Sequence, residues 1–392
     1  GRKKLVQLAK SGDLDITWHA TWGMSEYMSI ILHLEPVSRI MIHRRKETGG
    51  RADMTQEHYR IIGGLGSPYS MKMRAIFRYR RIPHLWVQQN METRKEVAHV
   101  RPPVIPIIQY PDGTYHNDST PMIYDLEARH TGRSIVPEEE GQAFLAYLIE
   151  DMADEWLTKM MFHYRWFLER DQKQMSLWLA FDTLPGEGLE TIEGFAKTFR
   201  DRQVGRMALV GCTAHNQQLI EQTCTRLFEL LEAHVTGKER YLFGARPSLA
   251  DFSIMGQFSQ LAVDPTPCDK MRAEAPFLFR WLMELDDLSG LEEGAWRDPA
   301  APLSPALEGF LQMAGEVYLP FLEANKKAYE AGEETFRFEA LGLPYEQGTF
   351  RYQVKCLSEL RHRFQSLSGE AKARLEPALE KAGLLTSLSA PA

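Results

Sequence analysis

Three hydroxyl side chains that could take part in chemistry lie in the motif Ser67 to Ser70 (Ser-Pro-Tyr-Ser). The motif lies where a predicted strand gives way to a predicted helix. The strand is predicted over Tyr59–Ile62, and glycines follow it. Apolar residues then recur at helical spacing from Met73 to Phe77, which predicts an amphipathic helix. Because proline suits the first position of a helix, Pro68 would begin this helix and Ser67 would be its N-cap.

The hydroxyl of Ser67 would then lie at the positive end of a helix dipole. A thiolate bound there would be stabilised by this hydroxyl, by the free N–H groups of the first turn and by the dipole. The alternative is that Ser67 only caps its helix, as serines commonly do. Ser70 is the second candidate hydroxyl, and Tyr69 and Tyr59 are rivals.

A second strand and a hairpin are predicted downstream. His84–Gln89 has the composition of a strand, and so does the apolar end of Pro102–Tyr110. The turn at Pro111–Gly113 would pair that end with Thr114–Asn117. The proline inside the apolar run belongs on an edge strand, at a strand start or in a special bond, and an X-Pro bond can be cis at modest cost. A further helix is predicted to begin at Asp118-Ser119.

The ordered set of these motifs, between Tyr59 and His130, resembles the thioredoxin-like N-terminal domain of the glutathione S-transferase superfamily. The resemblance implies that Ser67 is the catalytic position, with Tyr69 and Ser70 beside bound glutathione. It implies that the bond between Ile105 and Pro106 is cis and that Ile105, the residue before this proline, pairs its backbone with the cysteinyl unit. It also implies that Asp118-Ser119 holds the γ-glutamyl end, and the physics agrees: a helix start attracts a carboxylate.

The chain from Glu138 onward is predicted to be mostly helical. Ser248, with Asp251 three residues on, is a variant of the capping box and is assigned a structural role. The resemblance implies that the first long helix of this half lies beside the pocket for the second substrate. We therefore expect that pocket to be lined by Trp156, Met160, His163 and Tyr164. The alternative is that these four side chains are ordinary core packing.

The fold class predicted from these features is an α/β thioredoxin-like domain followed by an all-α helical-bundle domain, the glutathione S-transferase fold. A serine at position 67 cannot form mixed disulfides, so it favours conjugation, dehalogenation or isomerisation with glutathione as co-substrate over reductase chemistry. The resemblance implies a homodimer. The alternative function is a non-catalytic binding or scaffold protein of the same fold.

Composition limits the function classes. The net charge of −7 gives no general attraction to nucleic acid or to an anionic membrane. No apolar run is long enough to cross a membrane. The four cysteines, at 212, 224, 268 and 356, form no paired motif, which favours free thiols and a cytoplasmic protein. No motif with metal-ligand spacing is present.

The predicted division of the chain has four parts. Residues 1–53, with net charge +3, are expected to be a dispensable appendage, either not native or disordered, because Met54 directly precedes the first motif. Residues 54–135 would form the glutathione-binding domain and 138–300 the all-α domain. Residues 301–392 would be a helical extension that covers the cleft or a dimer surface, with a loop at 342–348.

Overall fold

The computed structural model describes residues 58–391. The first part of this range forms a mixed four-stranded sheet. The predicted appendage, residues 1–53, lies outside these residues. The strands are β1 Tyr59–Gly63, β2 His84–Gln88, β3 Ile107–Gln109 and β4 Tyr115–His116. Their order is β2-β1-β3-β4, with β1 parallel to β2 and the other neighbours antiparallel. The mixed sheet and the hairpin are as predicted.

Three helices complete this domain: α1 Pro68–Tyr79, α2 Met91–Glu96 and α3 Ser119–Arg129. Helix α1 connects the parallel pair β1 and β2, as a crossover must. Its apolar residues are buried on the sheet and against the helical half. The strand–helix–strand unit followed by a hairpin and helix is the predicted thioredoxin-like arrangement.

The all-α domain follows without a strand between Glu140 and Leu285. Its helices are α4 Glu140–Met152, α5 Thr158–Phe167, α6 Glu169–Thr183, α7 Leu189–Val204, α8 Met207–Val210, α9 Gln217–Val235, α10 Leu249–Leu261, α11 Pro265–Glu274 and α12 Pro276–Leu285. One wide turn, Ala153–Leu157, joins α4 to α5. Helices α6 and α7 form a hairpin of their own.

The capping box predicted at the start of α10 is confirmed. The Ser248 hydroxyl accepts from the backbone N–H of Asp251, and the Asp251 carboxylate accepts from the backbone N–H of Ser248 at 2.8 Å. Both side chains are fully buried. Burial raises the pKa of Asp251 to about 6, against hydrogen bonds that favour its charged form. The pair therefore begins a buried central helix and takes no part in a cleft.

The C-terminal extension is not wholly helical, which corrects the sequence prediction. It contains helices α13 Pro305–Met313, α14 Leu319–Glu330, α15 Arg351–Ser366, α16 Gly369–Lys381 and α17 Leu385–Ser389. The predicted loop at 342–348 is instead strand β6 Leu343–Gly348, paired with β5 Thr335–Ala340. The reason is aromatic packing: Phe336 and Tyr345 are buried against Phe321 of α14.

The extension packs against the outer side of α3 and α4. The guanidinium of Arg363 lies over the rings of Tyr124 and Tyr147, at 4.7 and 3.9 Å from their centroids. The backbone N–H of Ser368 donates to the carboxylate of Glu140 at 2.9 Å. The extension is therefore part of the folded body, joined to both of the preceding domains.

Helix α1 is anchored to the helical domain by a buried charged cluster. The Lys72 ammonium donates to Glu150 at 2.6 Å and to Asp154 at 2.8 Å. Burial alone would lower the pKa of Lys72, but the two carboxylates raise it above its usual value. Burial raises the pKa of Asp154 to about 7, against the opposing charge of Lys72. The cluster fixes α1 to α4 and to the wide turn after it.

No helix within the described residues is both long enough and apolar enough to cross a membrane.

Replacing Lys72 by methionine tests the anchoring role. Lys72→Met leaves two buried carboxylates without their cation, so we expect a loss of about 3–5 kcal/mol in the free energy of unfolding at pH 8. A carboxyl whose pKa rises on folding favours the folded state while it is protonated, and this contribution is lost as the pH rises through the folded pKa. Since Asp154 is protonated at pH 5, the substitution should cost less there.

Urea unfolding at both pH values measures this difference. The matched control is Lys95→Met, because Lys95 pairs with Glu92 on an exposed helix surface and should contribute only about 0–1 kcal/mol. Equal losses for the two variants would contradict the anchoring role.

Candidate functional site

The Ser67 hydroxyl lies at the start of α1, as predicted. Ser67 has extended backbone angles and accepts a hydrogen bond from the backbone N–H of Ser70 at 3.3 Å, with Pro68 in the first turn. Its side chain is half-buried and lines a cleft of about 320 Å³ between the two domains. A hydroxyl that accepts from the backbone keeps its own hydrogen to donate. Ser67 can therefore be both the helix cap and a donor toward the cleft.

Buried polar groups of the helical domain hold the loop that precedes Ser67. Arg165 donates to the backbone carbonyl of Gly66 at 2.7 Å, and the Gln260 amide donates to the carbonyl of Leu65 at 3.1 Å. Arg165 is itself paired with Asp264 by two hydrogen bonds of 2.8 and 2.9 Å. Burial raises the pKa of Asp264 to about 6, against the charge of Arg165. The loop is thus positioned by both domains.

The hydroxyls of Tyr69 and Ser70, the other two in the motif, have different surroundings from the hydroxyl of Ser67. Tyr69 borders the cleft, but its hydroxyl donates to the backbone carbonyl of Asp154 at 2.9 Å. Burial, with the charge of Asp154, raises the pKa of Tyr69 far above its usual value. Ser70 is fully buried against Gly63 and does not line the cleft. Of the three hydroxyls in the motif, that of Ser67 is the one open to a ligand.

Half of the predicted backbone clamp borders the same cleft as Ser67. Ile105 lines the cleft, whereas Pro106 is buried. The peptide bond between them is cis, as expected. Gln88 and Gln89, at the end of β2, lie along the same wall.

Asp118 and Ser119 lie at the start of α3, outside the residues that line the 320 Å³ cleft. Asp118 has a positive φ of 73°, a conformation that costs energy in a non-glycine residue. Burial raises its pKa, while the charges of Lys72 and Lys355 oppose the rise. Ser119 is buried, and its hydroxyl oxygen lies 3.4 Å from the Lys72 ammonium. The structure therefore places this pair beside the anchoring cluster.

The four residues expected to line the second-substrate pocket do not face the cleft. Trp156 donates from its indole N–H to Thr223 at 3.3 Å, and His163 lies 2.9 Å from the Glu221 carboxylate. Met160 and Tyr164 are buried in the core. The alternative in the sequence analysis, core packing, describes their positions.

The opposite face of the same helix supplies the cleft wall. The residues that line it are Thr158, Met161, Phe162, Arg165 and Trp166. They lie three and four positions apart, so they form one stripe of a helix. Both stripes of this helix are rich in apolar residues. Periodicity therefore could not tell the buried stripe from the one that faces a ligand.

Sequence reasoning also missed the contribution of the α6–α7 hairpin. Leu179, Asp182 and Thr183 of α6, with Phe199 and Gln203 of α7, close the outer side of the cleft. No motif marks these positions, and only the packing of the hairpin brings them to the site. Residues of the C-terminal extension do not line this cleft.

A larger apolar groove adjoins the cleft on the other side of the Leu65–Gly66 loop. Its volume is about 570 Å³, and it shares Gly66, Leu179 and Asp182 with the cleft. Its walls include exposed Trp178, Phe181 and Met283. The groove offers apolar surface but no hydroxyl at a helix start, so the chemistry of the site lies at Ser67.

Within residues 58–391, no group of three or more histidine, cysteine, aspartate or glutamate side chains is arranged to hold a metal ion. The cysteines at 212, 224, 268 and 356 are free thiols, and none lines the cleft.

Comparison with known proteins agrees with this geometry over the first domain. Residues 62–134 match the family described as glutathione S-transferase, N-terminal domain. A comparison with curated protein sequences found no significant match.

Several solved structures are similar to the chain. One is a glutathione S-transferase from Methylobacterium radiotolerans in complex with glutathione sulfonate, which is 18% identical with a TM-score of 0.35, over 58% of this chain and 90% of that one. A glutathione S-transferase from Methylobacillus flagellatus with glutathione bound is 18% identical with a TM-score of 0.35, over 57% and 93%. A glutathione transferase from Phanerochaete chrysosporium is 15% identical with a TM-score of 0.42, over 59% and 96%.

The motif order, the mixed sheet and the family match all fall on the same residues. Residues 62–134 of the chain therefore form a domain of the family described as glutathione S-transferase, N-terminal domain.

Proposed function

We propose that this protein is a glutathione transferase in which Ser67 activates the thiol of bound glutathione. The observation that carries the proposal is the hydroxyl of Ser67, which lies at a helix start and lines a cleft between the two domains. A donor preorganised at this point favours the thiolate over the thiol, because both the hydroxyl and the dipole stabilise negative charge. The thiolate is then the nucleophile toward an electrophilic carbon.

The polar wall of the cleft suits an extended tripeptide. The backbone of Ile105 offers β-type hydrogen bonds to the cysteinyl unit. Gln89 and Arg94, at the end of β2 and on α2, offer an amide and a cation to the glycyl carboxylate. The start of α3 at Asp118-Ser119 offers backbone N–H groups to the γ-glutamyl carboxylate, and the costly φ of Asp118 is typical of a ligand site.

The second substrate would bind against the apolar wall. Met161, Phe162 and Trp166 of α5 line the cleft together with Leu179 and Phe199 of the α6–α7 hairpin. These side chains exclude water from an apolar or aromatic electrophile and hold it beside the sulfur. The reaction forms a bond from sulfur to carbon, and the leaving group departs with the electron pair of the broken bond. The proton of the glutathione thiol goes to solvent before the attack.

Removing the Ser67 hydroxyl should slow turnover more than it weakens binding. Ser67→Ala should lower kcat toward a generic aromatic electrophile by about one to three powers of ten, in line with the loss of one preorganised donor. Ser67→Gly should do the same while it costs the helix only about a few tenths of a kcal/mol, because glycine is tolerated at an N-cap. The dissociation constant of glutathione should change little in both variants, since the contact is made to the thiolate. Steady-state kinetics and calorimetry measure the two effects.

The control is Ser70→Ala, which removes a buried hydroxyl that does not line the cleft. It should leave kcat within about threefold, a difference of about 0.7 kcal/mol in the barrier. If the protein binds glutathione but turns over no electrophile, the non-catalytic alternative is correct.

Asp118 and Ser119 should control the affinity for glutathione. Ser119→Ala removes a hydrogen bond to a charged group, worth roughly 1.5–3 kcal/mol, and should raise the dissociation constant at least tenfold. Asp118→Ala should also weaken binding, because the γ-glutamyl ammonium loses its acceptor. Calorimetric titration with glutathione, and with glutathione lacking the γ-glutamyl unit as control ligand, checks both. Unchanged affinity in both variants would show that this helix start does not bind the peptide.

A further inference from the structure

A third cavity adjoins the cleft and lies between the first domain and helix α7. Its volume is about 480 Å³. It shares Gln89, Arg94 and Phe199 with the Ser67 cleft, so the two spaces are neighbours with common walls. We call it the arginine cavity, because Arg94, Arg101 and Arg202 line it together with Phe195, Thr198 and Phe199.

The charge in the arginine cavity is unbalanced. Three guanidinium groups line it and no carboxylate does, although the chain as a whole has 53 acidic and 46 basic residues. Among the described residues, no carboxylate oxygen lies within 4.0 Å of a guanidinium nitrogen of these three arginines. The partial loss of hydration and the charge of Arg202 lower the pKa of Arg94. Like charges that repel one another around a cavity favour the binding of an anion.

Two nearby arginines differ from the three that line the cavity, because each lies close to a carboxylate. Arg200, on helix α7 with Arg202, lies 3.7 Å from the Asp201 carboxylate. Arg60, at the start of β1, pairs with Glu96 at 2.6 Å. One guanidinium nitrogen of Arg101 donates to the backbone carbonyls of Ala98 and Val100, at 2.5 and 2.9 Å, and the other N–H groups of this guanidinium remain for a ligand. Arg202 forms no hydrogen bond to a described residue, so its donors remain available for a ligand.

Aromatic rings connect the arginine cavity to the apolar wall of the cleft. The rings of Phe195 and Phe199 are stacked, with centroids 6.1 Å apart and planes at 17°. Phe199 in turn packs against Trp166 of the cleft, at 6.0 Å between centroids. An apolar body can therefore extend from the sulfur position over Phe199 toward Arg202. Such a ligand would place a charged end among the arginines.

We infer that the arginine cavity binds an anionic group of the second substrate, so that the preferred electrophiles have an apolar or aromatic body and a carboxylate, sulfonate or phosphate at the end away from the reacting carbon. This inference rests on the proposed function and narrows its substrate class. Arg202 and Arg101 are the residues that select the charge. Arg94, at the boundary of the two spaces, remains the partner of the glycyl carboxylate.

Matched glutathione conjugates test the inference without turnover. The first pair is S-benzylglutathione and S-(para-carboxybenzyl)glutathione; the second pair, S-octylglutathione and S-(ω-carboxyoctyl)glutathione, has a longer reach. Calorimetry at low salt should show the carboxylated member of at least one pair binding about five- to tenfold more tightly, since a charge-assisted hydrogen bond at a partly exposed site keeps only part of its strength. The preference should shrink at high salt.

Arg202→Gln and Arg101→Gln should each remove most of this preference while the neutral conjugates bind as before. The control is Arg200→Gln, on the same helix but outside the cavity. Equal affinity within both pairs for the unmodified protein overturns the inference and leaves the proposed function intact. If Arg202→Gln lowers the affinity for charged and neutral conjugates equally, the inference is also overturned, because Arg202 would then bind the peptide itself. If no conjugate binds, the proposed function fails and the inference fails with it.

Discussion

The close packing of helix α1 between the sheet and helix α10 is the constraint on which the site depends. A Cβ atom at Gly256 of α10 would lie 2.8 Å from the backbone carbonyl oxygen of Pro68, so the two backbones approach more closely than any larger residue allows. Pro68 directly follows Ser67 in the chain. The position of the Ser67 hydroxyl is therefore set by a contact between the two domains, in addition to the local geometry of the helix start.

Buried charges make that contact specific. Lys72 with Glu150 and Asp154, and Arg165 with Asp264, lie where the domains meet. Such groups contribute little net stability, because burying a charge costs about as much as pairing it returns. They do, however, penalise any other packing of the two domains, because Lys72 would lose both of its carboxylates and the Gly66 carbonyl would lose its hydrogen bond from Arg165. We interpret them as the groups that fix the cleft geometry, and the apolar core as the source of stability.

Features with local causes were predictable from the sequence. The N-cap at Ser67, the capping box at Ser248 and the turn at Pro111–Gly113 each depend on residues within a few positions of one another, and all three are present. The face of α5 that lines the cleft was not predictable, since both of its stripes are apolar. Nor was the strand at Leu343–Gly348, because it depends on Phe321 of α14, more than twenty residues earlier. The arginine cavity depends on contact between α7 and the first domain, which no local pattern encodes.

The most direct measurement of the central claim is the pKa of the glutathione thiol in the complex, obtained by ultraviolet titration of the bound thiolate. The account predicts that this pKa lies below that of free glutathione, and that it rises by about one to two pH units in Ser67→Gly, with each unit corresponding to about 1.4 kcal/mol of stabilisation of the thiolate. A bound thiol whose pKa is the same in Ser67→Gly as in the unmodified protein would contradict the account. It would assign Ser67 to the helix cap alone.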